Sequence, residues 1–473
     1  MVFNSFSFLL FFIVIIILYY GLKSWQYKKI VLLIGSYIFY SAFHPPFVLL
    51  LLISTVIDWN AGIWISKTSN RYLRVLFLCI SLTTNLGMLS FFKYGNFFQE
   101  NLLSILKIIG VEYQPLTWNI LLPVGISYYT FQTLSYTIDI YRDECEPEPS
   151  LLNFALFVSF FPQLVAGPIV RARDFLVQTR DDQTSKFDSN QFFWGLHLLT
   201  VGLFGKIVLA DRVFSPVANS VYENVKTADF LSSWIGTIAF SGQIYFDFSG
   251  YSTCAIGVAL CLGFSLPDNF RFPYAALGFS DFWRRWHISL STWLRDYLYI
   301  SLGGSRKGNI CTYRNIMITM LLGGLWHGAS WNFVIWGGLH GIYLVIERFF
   351  RSLGLKFRTD ITSLSIGAIV TYLAVCITWV FFRTPNFADA ILLIRMMFSL
   401  NFNFEFLLSS WRPIATLLIM AGVIFYQILV RDMTYEDIWI KIGMAGRVIL
   451  LSGMLFLIFS TRGEQNEFIY FQF

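Results

Sequence analysis

The sequence has few charged residues: they make up 13% of its 473 positions, against about 25% in a soluble globular domain. Apolar residues are correspondingly abundant, at 56% of the chain, and the mean hydropathy is +0.61. This balance excludes an ordinary soluble enzyme. It predicts an all-α chain that crosses a membrane several times.

Cysteine and histidine, the usual zinc ligands, are also scarce. The six cysteines include no Cys-x-x-Cys pair, and the five histidines include no His-x-x-x-His pair. We therefore expect no disulfide framework and no metal site. The sequence also lacks Gly-x-Ser-x-Gly, so nothing indicates a soluble-type serine hydrolase.

Long apolar stretches recur along the whole chain. Twelve of them approach spanning length, which predicts ten to thirteen membrane helices, with re-entrant or interfacial helices, in one domain over residues 1–473. The stretches 231–263 and 311–346 are too long for one span, so each is expected to hold two short helices or a re-entrant element. Basic residues follow the first and third stretches but do not precede the first, which predicts an N-terminus outside the cytoplasm.

The most informative stretch, residues 323–341, places His327 and His340 inside a strongly apolar run. An ionisable side chain at membrane depth costs about 2.5–3.5 kcal/mol when charged, so it marks a candidate functional site. The alternative is a neutral histidine that is only hydrogen-bonded between helices. Both histidines lie within Gly-x-x-x-Gly frames, which predict close approach of neighbouring backbones. The two are 13 residues apart, about 220° around a straight helix, so they cannot share a face unless the helix breaks.

His287 lies 40 residues before His327, in a stretch rich in tryptophan and arginine. A re-entrant or interfacial segment would bring the two imidazoles to opposite sides of one cavity. Two histidines suffice to move an acyl group from a thioester to a hydroxyl. One acts as general base, while the other orients a reactant or hydrogen-bonds the carbonyl oxygen. We therefore predict a catalytic core over 281–341, with His287 and His327 as its catalytic residues.

Positive charge is concentrated between residues 271 and 314, where seven basic residues face two aspartates. The surplus of 7 − 2 = +5 is nearly the whole chain's +6. We interpret this region as a basic mouth that binds a phosphate-bearing donor, because arginine forks suit phosphates. The candidate phosphate ligands are Arg284, Arg285, Arg295, Arg306 and Lys307. The alternative is an interfacial helix that binds anionic lipid. Nucleic-acid binding is not expected of charge inside a membrane protein.

Six segments, in this order, resemble the membrane-bound O-acyltransferase family, in the branch that O-acetylates bacterial envelope polysaccharides. They are Leu-Pro-Val-Gly-Ile-Ser-Tyr at 122–128 with Asp-Ile-Tyr-Arg at 139–142, Phe-Pro-Gln-Leu-Val-Ala-Gly-Pro-Ile-Val-Arg at 161–171, Tyr-Phe-Asp-Phe-Ser-Gly-Tyr-Ser at 245–252, Trp-Arg-Arg-Trp-His at 283–287, Leu-Trp-His-Gly at 325–328 and Phe-Ile-Tyr-Phe-Gln-Phe at 468–473. Together they cover most of the chain.

The resemblance implies a ring of tilted helices around a central tunnel. His327 matches the family's essential catalytic histidine, and His287 matches the second histidine. Relatives usually carry an aspartate where this chain has Thr253, which leaves Asp247 as the acid of that segment. Packing between helices is the alternative role for Asp247. The candidate pocket residues are His340, Asp247, Trp326 and Trp331.

The resemblance also implies the reactants and partners. Acetyl-CoA or another acyl thioester would dock from the cytoplasm as a substrate, with no bound cofactor. The acceptor would be a separate extracytoplasmic acetyltransferase that passes the group to peptidoglycan or an alginate-like polymer. Membrane lipids would surround the protein in a bacterial inner membrane. Two rival hypotheses remain: a transporter of an acetyl donor or lipid-linked sugar without chemistry, and acyl transfer to a lipid or protein.

Overall fold

A computed structural model describes residues 1–113, 120–354, 361–461 and 468–469. Within these ranges every regular element is a helix. The α-helices are α1 (Phe6–Gly21), α2 (Trp25–Ser41), α3 (Phe47–Lys67), α4 (Arg71–Ile108), α5 (Ile126–Tyr141), α6 (Leu151–Ser159), α7 (Phe161–Leu164), α8 (Ala172–Arg180), α9 (Ser189–Leu203), α10 (Ser215–Tyr222), α11 (Phe230–Cys261), α12 (Phe279–Arg285), α13 (Ile288–Trp293), α14 (Gly308–His327), α15 (Trp331–Ser352), α16 (Ile361–Arg383), α17 (Phe387–Met397), α18 (Glu405–Leu408), α19 (Trp411–Val430), α20 (Tyr435–Lys441) and α21 (Met444–Ser460). Two π-helical segments cover Phe204–Phe214 and Leu294–Tyr299, and short 3₁₀ turns cover Asp182–Ser185, Val225–Thr227 and Pro273–Ala275.

The prediction of an all-helical, multi-pass membrane protein is confirmed. In the described ranges, seven helices are long and apolar enough to cross a bilayer, or eight if the bent pair α20–α21 is counted as one span. The prediction of ten to thirteen spans included shorter apolar helices. Among them are α1, α2 and α5, which have only 16 or 17 residues and are shorter than the roughly 20 residues that a membrane-spanning helix needs.

The two longest apolar stretches behave differently. The expectation of a break within 231–263 is wrong, because α11 runs through 32 residues without a proline to interrupt it. The stretch 311–346 is divided as predicted. Its helix stops at His327, and α15 begins after Ser330, whose side chain accepts a hydrogen bond from the Asn332 amide at 3.2 Å. A serine at this position caps the first turn of a helix.

The chain separates into two compact units, residues 1–196 with 255–267 and residues 197–254 with 268–473. The single domain expected from the sequence stays a prediction. In the first unit, α3 packs on α4 and α5 around the carboxylate of Asp58, which is fully buried. Asp58 accepts hydrogen bonds from Ser81 at 2.6 Å, from the Asn85 side-chain amide at 2.8 and 2.9 Å and from Ser54 at 3.2 Å. These neutral donors replace water around the carboxylate.

In the second unit, α14 and α15 form a tight antiparallel hairpin around two glycines. A Cβ atom added at Gly324 would lie 2.2 Å from the Phe333 carbonyl oxygen, and one at Gly337 would lie 2.2 Å from that of Met320. No larger residue fits there, because the two backbones are in direct contact. The close approach that the Gly-x-x-x-Gly frames predict is therefore confirmed.

Candidate active site

His287 lies between α12 and α13, and its side chain is fully buried. Its backbone has φ 43° and ψ 54°, in the left-handed region that L-residues other than glycine enter at a cost of roughly 1–2 kcal/mol. Backbone strain of this kind is concentrated at functional sites, where the surrounding structure enforces it. Here the kink ends α12 and directs the imidazole into the interior of the second unit.

The Asn269 side chain determines which ring nitrogen of His287 carries the proton. Asn269 donates from Nδ2 to the Ser252 hydroxyl at 3.0 Å, so its Oδ1 faces the other way and can only accept. This Oδ1 lies 3.0 Å from His287 Nδ1 and also accepts from the Ser289 hydroxyl at 2.9 Å. His287 Nδ1 must therefore be the donor. The neutral ring then has its lone pair on Nε2, which is buried and has no hydrogen-bond partner in the described parts of the chain.

His327, the last residue of α14, lies beside His287. Its side chain is buried, and the two imidazole centroids are 6.4 Å apart. Aromatic rings surround His327: Trp336 at 4.9 Å, Trp326 at 5.0 Å and Phe382 at 5.4 Å. The structure thus brings the two sequence-predicted histidines together, in surroundings where Trp326 also packs on His287 at 5.9 Å.

His340 belongs to the same cluster because the helix breaks after His327. It is fully buried on α15, with its ring 4.7 Å from Trp336, and Trp336 in turn contacts His327. The His340 Nε2 atom lies 3.0 Å from the hydroxyl of Thr378. The sequence predicts that His327 and His340 share a face only if the helix breaks between them. The break after His327 meets this condition.

Two of the predicted pocket residues, Trp331 and Asp247, have surroundings that differ from those of the histidines. Trp331 is the first residue of α15 and is 58% exposed, which does not fit a residue lining a closed pocket. Asp247 is buried but ion-paired, with its Oδ1 2.6 Å from the ammonium of Lys206. Lys206 in turn lies 2.9 Å from Asp211 within the π-helical segment.

Asp247 also holds the Phe-Ile-Tyr-Phe-Gln-Phe segment, of which the structure describes two residues, with 470–473 outside the described residues. Its Oδ2 accepts a hydrogen bond from the Ile469 amide at 2.7 Å. The neighbouring Phe468 ring lies 5.9 Å from Phe248, which contacts the His287 ring at 4.6 Å. Asp247 therefore fixes a wall of the site and does not lie in the imidazole pair.

A cavity of about 530 Å³ lies next to this cluster in the second unit. Its basic lining residues are Arg295, Arg348 and Arg351, and the lining also includes Glu347, which is ion-paired with Arg351, and Trp283. The Trp283 ring lies 5.7 Å from Trp336 and 5.2 Å from His340. The lining includes neither His287 nor His327, and the tunnel expected to join the two membrane faces stays a prediction.

Most of the predicted phosphate ligands do not line this cavity. Arg295 does, although it is also ion-paired with Asp296 at 2.7 Å. Arg284, Arg306 and Lys307 are exposed outside the lining. Arg285 stays a prediction as a phosphate ligand. It is buried and ion-paired with Asp281 at 2.9 Å and with Asp432 at 3.2 Å.

Sequence reasoning missed four residues of the site. Arg348 and Arg351 lie on α15, beyond the predicted basic mouth, whereas Asn269 and Trp336 carry no charge. The arginines had a usable signal: 336, 340, 344, 348 and 351 follow at intervals of three or four residues, which is one helix face. Asn269 had no such signal in the sequence, because Ser252 and Ser289, to which it is hydrogen-bonded, lie in other segments and are common polar residues.

Comparison with known proteins agrees with this geometry. A buried pair of imidazoles in a multi-pass membrane protein marks a candidate site of acid–base chemistry. Residues 72–384 match the model of the MBOAT, membrane-bound O-acyltransferase, family. The match covers more than half of the chain, so the protein belongs to this family and is an O-acyltransferase.

Individual relatives are similar over most of their length. The chain is 41% identical to the probable alginate O-acetylase AlgI of Pseudomonas aeruginosa, over 84% of this chain and 75% of that protein. It is 36% identical to the peptidoglycan O-acetyltransferase of Helicobacter pylori, over 80% and 75%. A teichoic acid D-alanyltransferase of Bacillus subtilis is more distant, at 26% identity over 57% and 70%.

Proposed function

We propose that the protein transfers an acetyl group from a thioester donor to a hydroxyl acceptor, and thereby serves the O-acetylation of a polysaccharide of the bacterial envelope. The main support is the buried pair His287 and His327, with ring centroids 6.4 Å apart. The names of the relatives, an alginate O-acetylase and a peptidoglycan O-acetyltransferase, support acetyl as the group and a polysaccharide as its destination.

The chemistry needs one proton acceptor and one group that orients the reactants. His287 has its proton on Nδ1, so its free Nε2 lone pair suits the role of base toward the acceptor hydroxyl. The hydroxyl oxygen bonds to the thioester carbonyl carbon as the imidazole takes the proton. The carbon–sulfur bond then breaks, and the proton passes to the departing sulfur. A positioned base contributes about 10²–10⁴-fold to such a reaction.

His327 is the second group in this proposal. Lying between Trp326 and Trp336, it stands where it can hydrogen-bond the carbonyl oxygen or hold the acceptor against His287. The surrounding rings exclude water, so a polar interaction in the site is stronger than it would be in bulk solvent. They also leave little room beside His327, which favours a short acyl group such as acetyl.

The donor enters, in this proposal, through the cavity beside α15. Arg348 supplies positive charge for the phosphates of acetyl-CoA or another phosphate-bearing thioester, and Arg295 and Arg351, which are ion-paired with Asp296 and Glu347, add to it. Arg306 and Lys307 precede α14, at the same end of the hairpin as Arg348 and Arg351. The positive-inside tendency assigns that end to the cytoplasm of an inner-membrane protein, and the N-terminus to the outside.

The acceptor side is assigned to the opposite membrane face. We propose a separate extracytoplasmic acetyltransferase as the partner that receives the group and passes it to peptidoglycan or an alginate-like polymer. Mass spectrometry of the cell-wall and exopolysaccharide fractions from a deletion strain tests this assignment. Loss of acetyl from one of these fractions is expected. If acetyl is lost only from a lipid or a protein, the result would instead support the rival hypothesis of acyl transfer to a lipid or protein.

A direct test uses purified protein in nanodiscs with radiolabelled acetyl-CoA. His327→Ala and His287→Ala are expected to abolish acetyl transfer while the protein still elutes as a folded species. His44→Ala, which removes an imidazole from the first unit, is the matched control and keeps full activity. In proteoliposomes, a transporter would instead move intact donor across the membrane, in wild type and in both variants.

A further inference from the structure

A second cavity, of about 270 Å³, lies in the second unit where α10 ends and α11 begins. It is at the Arg383 end of α16, because the Arg383 guanidinium donates to the Asn219 side-chain oxygen of α10 at 2.9 Å. The helices α15 and α16 are antiparallel, and the basic cavity lies at their other end, beside Ser352. The two cavities are therefore separate sites, and they share no lining residue.

The lining of this second cavity is polar and acidic. Most of its lining residues carry hydroxyl, amide or carboxylate groups, and two of them are the acids Asp229 and Glu405. None of the described residues that line it is basic. Two negative charges without a lining cation repel a phosphate or a carboxylate and attract a cation. We call this site the acidic cavity.

Asp229 is the buried one of the two acids, with its side chain 8% exposed. Its Oδ1 accepts hydrogen bonds from the Ser232 amide at 2.8 Å and from the Ser232 hydroxyl at 3.1 Å. In the described parts of the chain, Oδ2 accepts no hydrogen bond, and the carboxylate has no ion-pair partner. Aspartate is almost never buried unless it is paired, so the open oxygen points to a ligand that is not part of the chain.

The hydroxyl groups of Ser220 and Thr227 can only accept further hydrogen bonds. Ser220 donates its hydrogen to the Val217 carbonyl at 2.8 Å, and Thr227 donates its own to the Asn224 carbonyl at 3.0 Å. A hydroxyl has one hydrogen, so only lone pairs remain for a ligand. The ligand must therefore bring hydrogen-bond donors as well as positive charge. A primary ammonium group, with three N–H donors, has both.

Two asparagines of the lining keep one hydrogen-bond donor each. The Asn224 side-chain amide donates one hydrogen to the Ser220 carbonyl at 2.9 Å, and that of Asn403 donates one to the Glu405 carboxylate at 3.1 Å. An amide has two hydrogens, so each side chain has one left for a ligand. Both asparagines are exposed. The acidic cavity thus has a buried carboxylate inside and neutral N–H donors at its opening.

The segment between α17 and α19 places the acidic cavity at the membrane surface. The Phe230 amide at the start of α11 fixes this segment by donating to the Asn401 carbonyl at 3.0 Å. The segment carries large apolar side chains that are 58–90% exposed: Phe398, Leu400, Phe404, Leu408 and Trp411. In a membrane protein such a surface contacts lipid, and tryptophan prefers the headgroup level. The lining residues Asn403 and Glu405 belong to this segment, so the cavity opens among lipid headgroups.

We propose that the acidic cavity binds the headgroup of a membrane lipid that carries a primary ammonium, of the phosphatidylethanolamine type. The ammonium donates to Asp229 and Glu405, and the lipid phosphate accepts from Asn224 and Asn403 at the opening. Hydrogen bonds between ionised groups are about twice as strong as neutral ones. A glycerol headgroup lacks the positive charge, and a choline headgroup lacks the N–H donors. The site does not depend on the proposed acetyl transfer.

The test is native mass spectrometry of the full-length protein in detergent. The protein is given equal amounts of phosphatidylethanolamine, phosphatidylcholine and phosphatidylglycerol with identical acyl chains. Wild type is expected to retain the ethanolamine lipid about tenfold over each of the other two, the effect of a charge-assisted hydrogen bond. The choline lipid tests the N–H donors, and the glycerol lipid tests the charge.

Two nearly isosteric variants remove the negative charges. Asp229→Asn can still accept from the Ser232 amide at the start of α11, so the fold is kept. Asp229→Asn and Glu405→Gln are each expected to lower the preference for the ethanolamine lipid about threefold to tenfold, and the double variant removes it. Glu223→Gln, at an exposed carboxylate outside the lining, is the matched control and keeps the preference.

Several outcomes would overturn the inference. One is equal retention of the three lipids by wild type, and another is a preference that survives in the double variant. Displacement of the lipid by an equal concentration of glycerophosphoethanolamine, which has the headgroup without acyl chains, would show that the ligand is a soluble amine. Displacement by an equal concentration of a tetralysine peptide would instead assign the acidic cavity to a basic segment of a partner protein.

Discussion

Asn269 holds His287 by a hydrogen bond from the ring Nδ1 to its side-chain Oδ1 at 3.0 Å, in a buried site where the same oxygen also accepts from Ser289. The bond fixes both the orientation of the ring and the position of its proton. An asparagine far from the histidine motifs thereby makes Nε2 the basic atom of the pair.

Replacement of Asn269 by leucine is expected to lower acetyl transfer about 10–100-fold, the usual effect of losing the group that orients a functional histidine. The ring would lose its fixed tautomer, while both imidazoles remain. Turnover is measured in detergent-purified protein. Thr253→Ala serves as control, because in the described parts of the chain the Thr253 hydroxyl is bonded only to the Ser249 carbonyl of its own helix, at 2.7 Å. Equal activity in Asn269→Leu and wild type would exclude this role.

The ion pairs of Lys206 predict an unequal effect of two substitutions. Lys206→Met leaves Asp211 and Asp247 buried together without their cation, and loss of one partner from a buried pair costs about 3–5 kcal/mol. Asp247→Asn is expected to cost less, because Lys206 keeps Asp211 and the new amide oxygen can still accept from Ile469. Thermal unfolding of both variants checks the order. The reverse order would contradict the contacts described.

The contact between α14 and α15 predicts that both glycines are irreplaceable. Gly324→Ala or Gly337→Ala would place a methyl carbon 2.2 Å from a carbonyl oxygen, so the hairpin must open and His327 must move. We expect a lower melting temperature and little acetyl transfer. Gly422→Ala in α19 meets no atom within 4 Å and should be neutral, or stabilising by roughly 0.5–1 kcal/mol. Full activity of Gly324→Ala would refute the close contact.

The arginines of the cavity predict an effect on the KM for a phosphate-bearing donor. Arg348→Gln is expected to raise the KM for acetyl-CoA about tenfold, as for loss of a charge-assisted hydrogen bond, with kcat nearly unchanged. The KM for S-acetyl-N-acetylcysteamine, which has no phosphate, should not change. Arg284→Gln, an exposed arginine outside the cavity lining, is the control. An equal increase of the KM for acetyl-CoA in Arg348→Gln and Arg284→Gln would indicate that a diffuse basic surface, and not this cavity, attracts the donor.

The sequence predicted the parts of the site that depend on single, unusual residues. An imidazole in an apolar run stands out by itself, so His287 and His327 could be predicted as a pair, and the glycine frames correctly predicted tight packing. Trp331 shows the limit of this reasoning. It belongs to the same motif as Trp326, but it starts a new helix after the break and is exposed.

Other features depended on contacts between distant segments. The charge of Arg285 suggested a phosphate ligand, yet its guanidinium is ion-paired with Asp281 and Asp432. Arg348 was overlooked because the sequence did not show that α15 begins at Trp331. Only a helix that begins there and runs on past residue 348 puts Arg348 on the same face as His340. Charge counts along a sequence describe a region, whereas a binding site depends on which guanidinium groups keep a free face.

The buried carboxylate of Asp58 has a consequence for how the protein enters its membrane. As an isolated helix, α3 would carry an ionised group at the bilayer centre, which costs about 2.5–3.5 kcal/mol on insertion scales. The donors that solvate this group reside on α3 itself, through Ser54, and on the next helix, through Ser81 and Asn85. Because α3 gains most of this solvation only when α4 arrives, the insertion machinery should release the two helices into lipid as a pair.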